Sequence, residues 1–263
     1  MSYALITGAS SGIGHHYAME LAQRGYNIIA VSNQREELRE TVASLRSTYG
    51  VEAHDIYCDL SRESAAEEIF KAVEDQGFEV EILVCNAGML LFSTLTRTEP
   101  ERLSKIVTLH CTTTTLLCRY FAERMKERGK GRILIMSSST AWLPYPTISH
   151  YSATKSYLKS LGSALWYELH RHGISVTVVF PGAVDTPLYK LSDKLRRRFV
   201  ALGVMMRPER IARQALRAMF KGRRRCTPGL FTKFVVAICS IIPARLFDLV
   251  LLIPPVRRLL ERI

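Results

Sequence analysis

Apolar runs of strand length alternate with helix-length segments along most of the chain, and this alternation constrains the fold more than any other feature. Six such runs lie at 3–7, 26–31, 53–58, 81–85, 132–137 and 174–180. Continuously apolar strands are buried on both faces, and strands joined by helices run parallel through right-handed crossovers. The pattern therefore predicts an α/β fold, in which helices cover both faces of one doubly wound, Rossmann-like parallel sheet.

The segments between the runs have the periodicity and end signals of helices. Apolar positions are spaced along one face of the Glu-rich segments 35–47 and 61–76, and a glycine follows each. A long helix is predicted at about 100–127, and another at 208–220, where Pro208 occupies the first position. A chain of 263 residues suits a single domain of this class.

The positive net charge of +12 is confined to the last quarter of the chain. Residues 1–193 contain 19 Lys and Arg against 21 Asp and Glu, whereas 194–263 contain 17 against 3. The basic residues of that quarter are interleaved with apolar runs, and nucleic-acid sites instead combine them with stacking aromatic residues. We therefore expect no nucleic-acid binding, and an anionic membrane surface is the favoured partner of this segment.

Cysteine usage and the N-terminal sequence bear on the compartment. The six cysteines form no CxxC pair and show no ligand-like spacing with histidine, so neither a disulfide framework nor a metal site is predicted. The N-terminal MSYALITG has no basic segment and no long apolar run, which argues against a cleaved secretory signal. We expect a cytoplasmic protein, held at a membrane surface if the basic segment binds lipid.

The first apolar run is followed by TGASSGIG, a glycine-rich turn that opens a helix. Gly8 permits a tight turn, Gly12 lets a pyrophosphate approach the backbone, and Gly14 allows close packing of the helix. The helix N-terminus presents unpaired N–H donors to an anion. In this strand-turn-helix context the pattern predicts a dinucleotide site. The other turn residues expected at the site are Ser10, Ser11 and Ile13.

Three further motifs follow in order: NAG at 86–88, YSATK at 151–155 and PG at 181–182. Together with the GxxxGxG spacing of the turn, they resemble the short-chain dehydrogenase/reductase family over about residues 3–190. The resemblance implies an oxidoreductase that transfers a hydride between a nicotinamide and a substrate carbon. It also implies a homo-oligomer.

The resemblance carries cofactor contacts over by position. In such enzymes the acidic residue after the third strand contacts the adenine, and the segment after the fourth strand lines the floor beside it. These residues are Asp59, Leu60, Asn86, Ala87 and Gly88. Without the resemblance, Asp59 is equally a residue near the start of the next helix.

A second group of contacts follows the sixth run. PGAVDT at 181–186 resembles the family's PGxxxT element. The resemblance implies that Pro181 and Gly182 line the cofactor site and that Thr186 binds the nicotinamide carboxamide.

The end of the second run bears on the choice between NAD and NADP. An NAD site needs a carboxylate there for the ribose hydroxyls, and a carboxylate repels a 2′-phosphate. Ser32 occupies that place, while Ser11 and Asn33 replace the basic residues typical of NADP-dependent relatives. We expect NADP, with NAD as the alternative. Arg35 either reaches the 2′-phosphate or is solvated at the start of its helix.

Tyr151 and Lys155 are four residues apart on a predicted helix, so their side chains share one face. A tyrosine with a pKa near 10 is a poor base at pH 7 unless a nearby cation favours the phenolate. Such a pair is usually an ordinary surface pair. The resemblance instead makes Tyr151 the general acid/base and Lys155 the cation that lowers its pKa and holds the ribose. Ser138 then orients the substrate carbonyl.

His110 is a departure from the family pattern. The family usually places an asparagine there, where it supports a water chain behind the lysine, but KIVTLHCTTTTLL aligns His110 with it. An imidazole can both donate and accept, so His110 is a candidate catalytic residue that relays protons. The alternative is a histidine bonded to a main-chain carbonyl.

The substrate is expected to be apolar, because hydrophobic residues recur in WLPY at 142–145 and in the predicted lid at 188–206. The same residues are also compatible with ordinary helix packing. We predict interconversion of a hydrophobic ketone and a secondary alcohol, either acyl-chain or steroid-like. The alternative is a catalytically idle, NADP-binding scaffold or regulatory protein recruited to membranes.

We divide the chain into a dinucleotide-binding catalytic domain at 1–222 and a basic, apolar extension at 223–263. Pro243 and Arg245 interrupt the apolar stretch 230–256, so no run reaches the roughly 18 residues of a spanning helix. Two short interfacial helices are one interpretation of the extension. The other is packing on a partner subunit or over the active site.

Overall fold

The computed structural model describes residues 2–90, 92–142, 147–185 and 192–241, with only the backbone at 193, 194 and 196. The strands are β1 (Tyr3–Thr7), β2 (Asn27–Ser32), β3 (Ala53–Tyr57), β4 (Val80–Cys85), β5 (Gly131–Met136), β6 (Ile174–Val179), β7 (Ala183–Val184), β8 (Met205–Met206) and β9 (Arg225–Cys226). The helices are α1 (Gly12–Ala22), α2 (Arg35–Tyr49), α3 (Ala65–Asp75), α4 (Pro100–Val107), α5 (Thr113–Arg128), α6 (Ser149–His170), α7 (Asp193–Ala201), α8 (Pro208–Phe220) and α9 (Leu230–Ile241). A π-helical turn at Thr108–Thr112 joins α4 to α5.

Seven of the strands form one parallel sheet in the order β3-β2-β1-β4-β5-β6-β9. The chain moves outward from β1 to β3 and then returns to place β4 on the other side of β1. The strand order therefore reverses between β1 and β4, and ligands of such sheets bind in the crevice outside the carboxyl ends at that point. The doubly wound parallel sheet expected from the sequence is confirmed, and β7 and β8 form a small separate pair.

Successive residues of each strand pack on opposite faces of the sheet. Ala4 and Ile6 of β1 pack with α1, α2 and α8, whereas Leu5 between them packs with α3, α5 and α6. Successive side chains of a strand point to opposite sides, so a continuously apolar strand supplies two cores. Each apolar run predicted from the sequence lies within one residue of a strand at either end.

The seventh strand was not predicted, because two residues are too short to form an apolar run. Arg225 and Cys226 of β9 pair in parallel with Val178 and Val179 at the end of β6. The predicted boundary between 222 and 223 therefore lies just before a strand of the central sheet.

Of the predicted extension, the structure describes β9 and the twelve-residue α9, and residues 242–263 lie outside the described part. Across the described ranges, no helix combines the length and apolar character that crossing a bilayer requires.

Candidate active site

A cavity of about 930 Å³ opens at the carboxyl ends of the strands, where the strand order reverses. It is bounded by the glycine-rich turn, by the ends of β2 to β5, by α6 and by the segment after β6. The predicted site residues line it, with four exceptions. Gly14, Arg35 and His110 lie outside the lining, and Thr186 is outside the described residues.

The glycine-rich turn brings the start of α1 against the end of β1. Gly8 and Gly12 have positive φ angles of 68° and 55°, a conformation that favours glycine. A Cβ atom at Gly14 would lie 2.0 Å from the carbonyl oxygen of Gly8 and 2.6 Å from Nδ2 of Asn86. The close helix packing predicted for Gly14 is therefore present, and it leaves the N-terminus of α1 facing the cavity.

Thr7 and Asn86 tie β1 to β4 directly beneath the cavity. The Thr7 hydroxyl accepts hydrogen bonds from the main-chain N–H groups of Asn86 (2.9 Å) and Ala87 (3.0 Å). The Asn86 amide donates back to the Thr7 carbonyl at 3.0 Å. Because these bonds span the switch point, they fix the floor on which a dinucleotide would lie.

The end of the cavity beside β2 is lined by hydroxyl and amide groups. The Ser10 hydroxyl lies 2.7 Å from Ser32 Oγ and 2.7 Å from Gln34 Oε1. The main-chain N–H of Gln34 donates to Ser32 Oγ at 3.1 Å. Arg35 is exposed beside this end, with its guanidinium 3.9 Å from the centroid of the Tyr57 ring.

Asp59 lines the cavity after β3. Its Oδ1 accepts hydrogen bonds from the main-chain N–H of Ser61 (3.0 Å) and from the Ser61 hydroxyl (2.8 Å). The main-chain bond is the largest cause of the lowered pKa of this carboxyl. Helix α3 begins only at Ala65, so Asp59 does not cap it.

Ser138, Tyr151 and Lys155 converge at the other end of the cavity. Lys155 is buried on the second turn of α6, with Nζ 5.6 Å from the centroid of the Tyr151 ring, and it donates to the carbonyl of Met136 at 2.9 Å. Ser138 Oγ accepts a hydrogen bond from the main-chain N–H of Thr140 at 3.1 Å. Its own O–H proton therefore remains available to a bound oxygen atom.

Neighbouring Ser137 has a different role from Ser138. Its hydroxyl donates to the main-chain carbonyl of Lys155 at 2.7 Å, which joins β5 to α6.

Burial lowers the pKa of Lys155 from 10.5 to about 8. A charged amine is poorly solvated inside a protein, so the neutral form is favoured. The ammonium group has three N–H donors, and the hydrogen bond to Met136 uses one of them.

His110 is fully buried behind Gly88, within the π-helical turn. Its Nε2 accepts the main-chain N–H of Met89 at 3.1 Å, and its Nδ1 lies 2.8 Å from the Thr154 hydroxyl. The main-chain partner is therefore an amide rather than the carbonyl considered from the sequence. Burial is the largest cause of a pKa held well below 6.5, and the charge of Lys155 adds to it.

The sequence profile described as short chain dehydrogenase matches residues 2–196. The chain belongs to the short-chain dehydrogenase/reductase family. The match confirms the resemblance drawn from the four motifs and extends slightly beyond the range that they cover.

Several members of this family are similar over most of the chain. The rat 17-beta-hydroxysteroid dehydrogenase type 3 is 31% identical over 93% of this chain and 78% of its own length. The zebrafish very-long-chain 3-oxoacyl-CoA reductase-A is 33% identical over 72% of this chain and 60% of its own length. The human inactive hydroxysteroid dehydrogenase-like protein 1 is 34% identical over 74% of this chain and 59% of its own length. The chain thus spans less than two thirds of the last two relatives.

Among solved structures, a short-chain dehydrogenase from Sphingobium yanoikuyae was determined in complex with NADPH. It is 27% identical and superposes with a TM-score of 0.79, covering 92% of this chain and 97% of that one.

Sequence reasoning missed three residues that organise the site: Thr7, Gln34 and Thr154. Each acts through a hydrogen bond to a segment distant in sequence, from 23 to 80 residues away. Thr7 alone carried a signal, since a hydroxyl at the end of a buried apolar strand requires a partner.

Proposed function

We propose that the protein is an NADP-preferring oxidoreductase that interconverts a hydrophobic ketone and a secondary alcohol. The observation that carries the proposal is the convergence of Ser138, Tyr151 and Lys155 at one end of a cavity whose other end is the glycine-rich turn. Relatives named as a hydroxysteroid dehydrogenase and a 3-oxoacyl-CoA reductase support the class of substrate.

The residues of the cavity fit a dinucleotide. The turn has no side chain at Gly8 or Gly12 to obstruct a pyrophosphate, and the N–H groups at the start of α1 suit its charge. A cavity of about 930 Å³ is at the upper end of the range for ligand sites, as a cofactor and a substrate together require.

The bound nicotinamide would supply the hydride in reduction and accept it in oxidation. In reduction the Tyr151 hydroxyl gives its proton to the substrate oxygen, and in oxidation the phenolate removes it. Ser138 donates a hydrogen bond to the same oxygen. Lys155, while charged, favours the phenolate and holds the ribose with its remaining donors.

The end of the cavity beside β2 is lined by neutral residues, which supports NADP over NAD. Ser32 stands where an NAD site has a carboxylate, and its hydroxyl is shared with Ser10 and Gln34. The described lining residues beside β2 are Ser32, Asn33 and Gln34, which carry no negative charge to repel a 2′-phosphate, and Arg35 follows them in the chain as a cation. The Arg35 guanidinium stacks on the Tyr57 ring, a contact that favours one position of this long side chain.

The apolar part of the cavity wall supports an apolar substrate, and Met89, Leu90, Ile148 and Val184 belong to it. Of the segments expected at this wall, residues 143–145 and 188–191 lie outside the described part of the chain.

Tyr151→Phe tests the enzyme proposal. NADPH consumption is measured with a panel of oxosteroids and 3-oxoacyl thioesters, and we expect the variant to lose at least about 100-fold in kcat while its NADPH affinity, measured by fluorescence, is retained. Tyr157→Phe is the matched control, since Tyr157 is exposed on the same helix and bonds the Thr115 hydroxyl. Equal turnover by Tyr151→Phe and the wild-type protein contradicts the mechanism.

The alternative function is a catalytically idle, NADP-binding scaffold. A relative named as an inactive hydroxysteroid dehydrogenase-like protein supports this alternative. The presence and convergence of Ser138, Tyr151 and Lys155 favour the enzyme. Tight NADPH binding without turnover across the whole panel would instead support the scaffold.

We also propose that α9 rests on an anionic membrane surface. Its exposed apolar side chains are Leu230, Phe231, Phe234, Ile238 and Ile241. The buried Thr232 faces Gly182 of the cavity, where an added Cβ would lie 2.5 Å from the Thr232 hydroxyl. The helix therefore begins beside the cavity, which suits an enzyme that takes its substrate from lipid.

A further inference from the structure

The hydrogen bonds around His110 determine which of its nitrogen atoms carries a proton. The main-chain N–H of Met89 points at Nε2, with 3.1 Å between the nitrogen atoms. A main-chain amide can only donate, so Nε2 must accept and holds no proton.

Thr154 determines whether the other ring nitrogen of His110, Nδ1, carries a proton. The Thr154 hydroxyl lies 2.8 Å from the main-chain carbonyl of Tyr151, and a carbonyl can only accept. The hydroxyl proton is therefore directed at Tyr151, and the hydroxyl oxygen must accept from His110 Nδ1 at 2.8 Å. His110 is thus the neutral Nδ1–H tautomer, with both ring nitrogens engaged.

This arrangement is incompatible with a proton relay. A relay requires one ring nitrogen to accept a proton while the other releases one. A proton on Nε2 would face the N–H of Met89, and Nδ1 leads only to a hydroxyl whose proton is directed at a carbonyl. The charge of Lys155 also opposes a positive charge on the ring.

The same hydrogen bonds connect two parts of the active site. Met89 follows Gly88 in the cavity floor, and Thr154 lies between Tyr151 and Lys155 on α6. A Cβ at Gly88 would lie 3.0 Å from His110 Nε2 and 3.5 Å from Lys155 Nζ, so the ring packs tightly beside the ammonium group. The T-shaped contact of His110 with the Tyr151 ring, at 5.7 Å between centroids, completes the packing.

We infer that His110 is a positioning residue, which together with Thr154 holds the floor segment at Met89 against the turn of α6 that carries Tyr151. The effect of His110 on turnover rests on the proposed function. The tautomer of His110 and its lack of titration do not depend on that function, so the inference about His110 and the proposed function can be tested separately.

Nuclear magnetic resonance of the full chain labelled with ¹⁵N-histidine tests the tautomer. We expect one imidazole, absent from the spectrum of His110→Asn, to show the Nδ1–H pattern and no titration between pH 6 and 9. The other six histidines of the chain give their own signals in the same spectrum and serve as the internal comparison. An Nε2–H pattern, or protonation of His110 within that range, overturns the inference whether or not a substrate is known.

Kinetics of Thr154→Val and His110→Ala test the positioning role. Removal of either hydrogen-bonding partner should lower kcat/KM by about tenfold, with the double variant no worse than the more severe single one. Thr154→Ser, which keeps the hydroxyl, should restore activity, and the pH profile should keep its shape in each variant. The relay is supported instead if Thr154→Val behaves as the wild type while His110→Ala loses one limb of the pH profile.

Discussion

Among single residues, Lys155 is the one whose proposed catalytic role most clearly opposes the stability of the folded protein. The proposed mechanism needs its charge beside Tyr151, yet burial lowers its pKa to about 8, which means that the folded protein disfavours the charged form. The shift corresponds to roughly 3 kcal/mol of lost stability at pH 7. Catalytic groups often carry such a penalty, because a functional site is selected for reactivity rather than stability.

Lys155→Met should therefore stabilise the protein while abolishing turnover. The pKa of the lysine is lower in the folded than in the unfolded state, so the unfolded state binds more protons between about pH 8 and 10.5. The penalty is complete below pH 8 and disappears as the pH rises to 10.5. Thermal unfolding at pH 7 and pH 10 should show a higher Tm for the variant at pH 7 and a smaller difference at pH 10. A lower Tm at pH 7 would contradict the expected penalty.

Ser32→Asp should reverse the preference for the cofactor. A carboxylate there repels a 2′-phosphate and accepts hydrogen bonds from the ribose hydroxyls, so NADPH should bind at least about tenfold more weakly and NADH more tightly. Arg35→Gln should weaken NADPH binding and leave NADH binding unchanged, because only the 2′-phosphate needs the cation. Titration by protein fluorescence measures both. Tighter NADH than NADPH binding by the wild type would reject the preference for NADP.

At the scale of secondary-structure elements, the joint between α4 and α5 departs from the sequence prediction. One regular helix was expected at about 100–127, but a π-helical turn at Thr108–Thr112 interrupts it. Such turns insert a residue into a helix and occur frequently at functional sites. Here the turn contains His110 and Leu109, which face the cavity floor and the cavity itself. Periodicity did not reveal it, because a single π turn changes the apolar pattern by one residue only.

The buried carboxylate of Glu81, at the start of β4, is paired with two cations at the end of the sheet opposite the cavity. Lys130 Nζ lies 2.9 Å from Glu81 Oε2, and Arg132 binds Oε1 of the same carboxylate. Burial by itself would raise the pKa of Glu81, but hydrogen bonds from Lys130 and Ser2 outweigh it, and the pKa is lowered.

Glu81→Gln should cost about 1–3 kcal/mol at pH 7, since it removes the charge that both cations share. The lowered pKa gives stability that is present above the ordinary glutamate value near 4.3 and is lost as the pH falls through the folded-state value. Urea unfolding at pH 7 and pH 4 should therefore show a difference from the wild type that shrinks in acid. Glu79→Gln, at an exposed neighbouring carboxylate, is the control. The same difference at both pH values would exclude the ion pairs of Glu81 as its cause.

At the scale of the whole molecule, charge and apolar surface combine around the C-terminal part. Arg224 packs against Trp166 and Tyr167, and Arg225 lies 5.6 Å from the centroid of the Trp142 ring. Arg224 and Arg225 precede α9 in the chain, and the exposed apolar side chains of α9 follow them. The combination of apolar and basic residues is typical of a segment that lies in a membrane interface.

Replacement of Phe231 and Phe234 by Asp should therefore release the protein from vesicles that contain anionic lipid. Burial of each phenylalanine in lipid is worth roughly 2 kcal/mol, so the double variant should lose most of the bound fraction in a flotation assay. Leu95→Asp is the matched control, because Leu95 is equally exposed on a different segment. Unchanged flotation, with a shift in sedimentation towards smaller species, would instead assign this surface to a partner subunit.

The parallel sheet, the position of the glycine-rich turn and the order of the motifs could all be predicted from the sequence. Each of these depends on local periodicity or on residues close together in the chain. Three features depend on long-range contacts and could not be predicted: the two-residue strand β9, the hydrogen bond between Ser10 and Gln34, and the hydrogen bonds of His110 with Met89 and Thr154. A hydrogen bond between segments 20 or more residues apart produces no repeating pattern in the sequence. It requires only that folding brings a donor and an acceptor together.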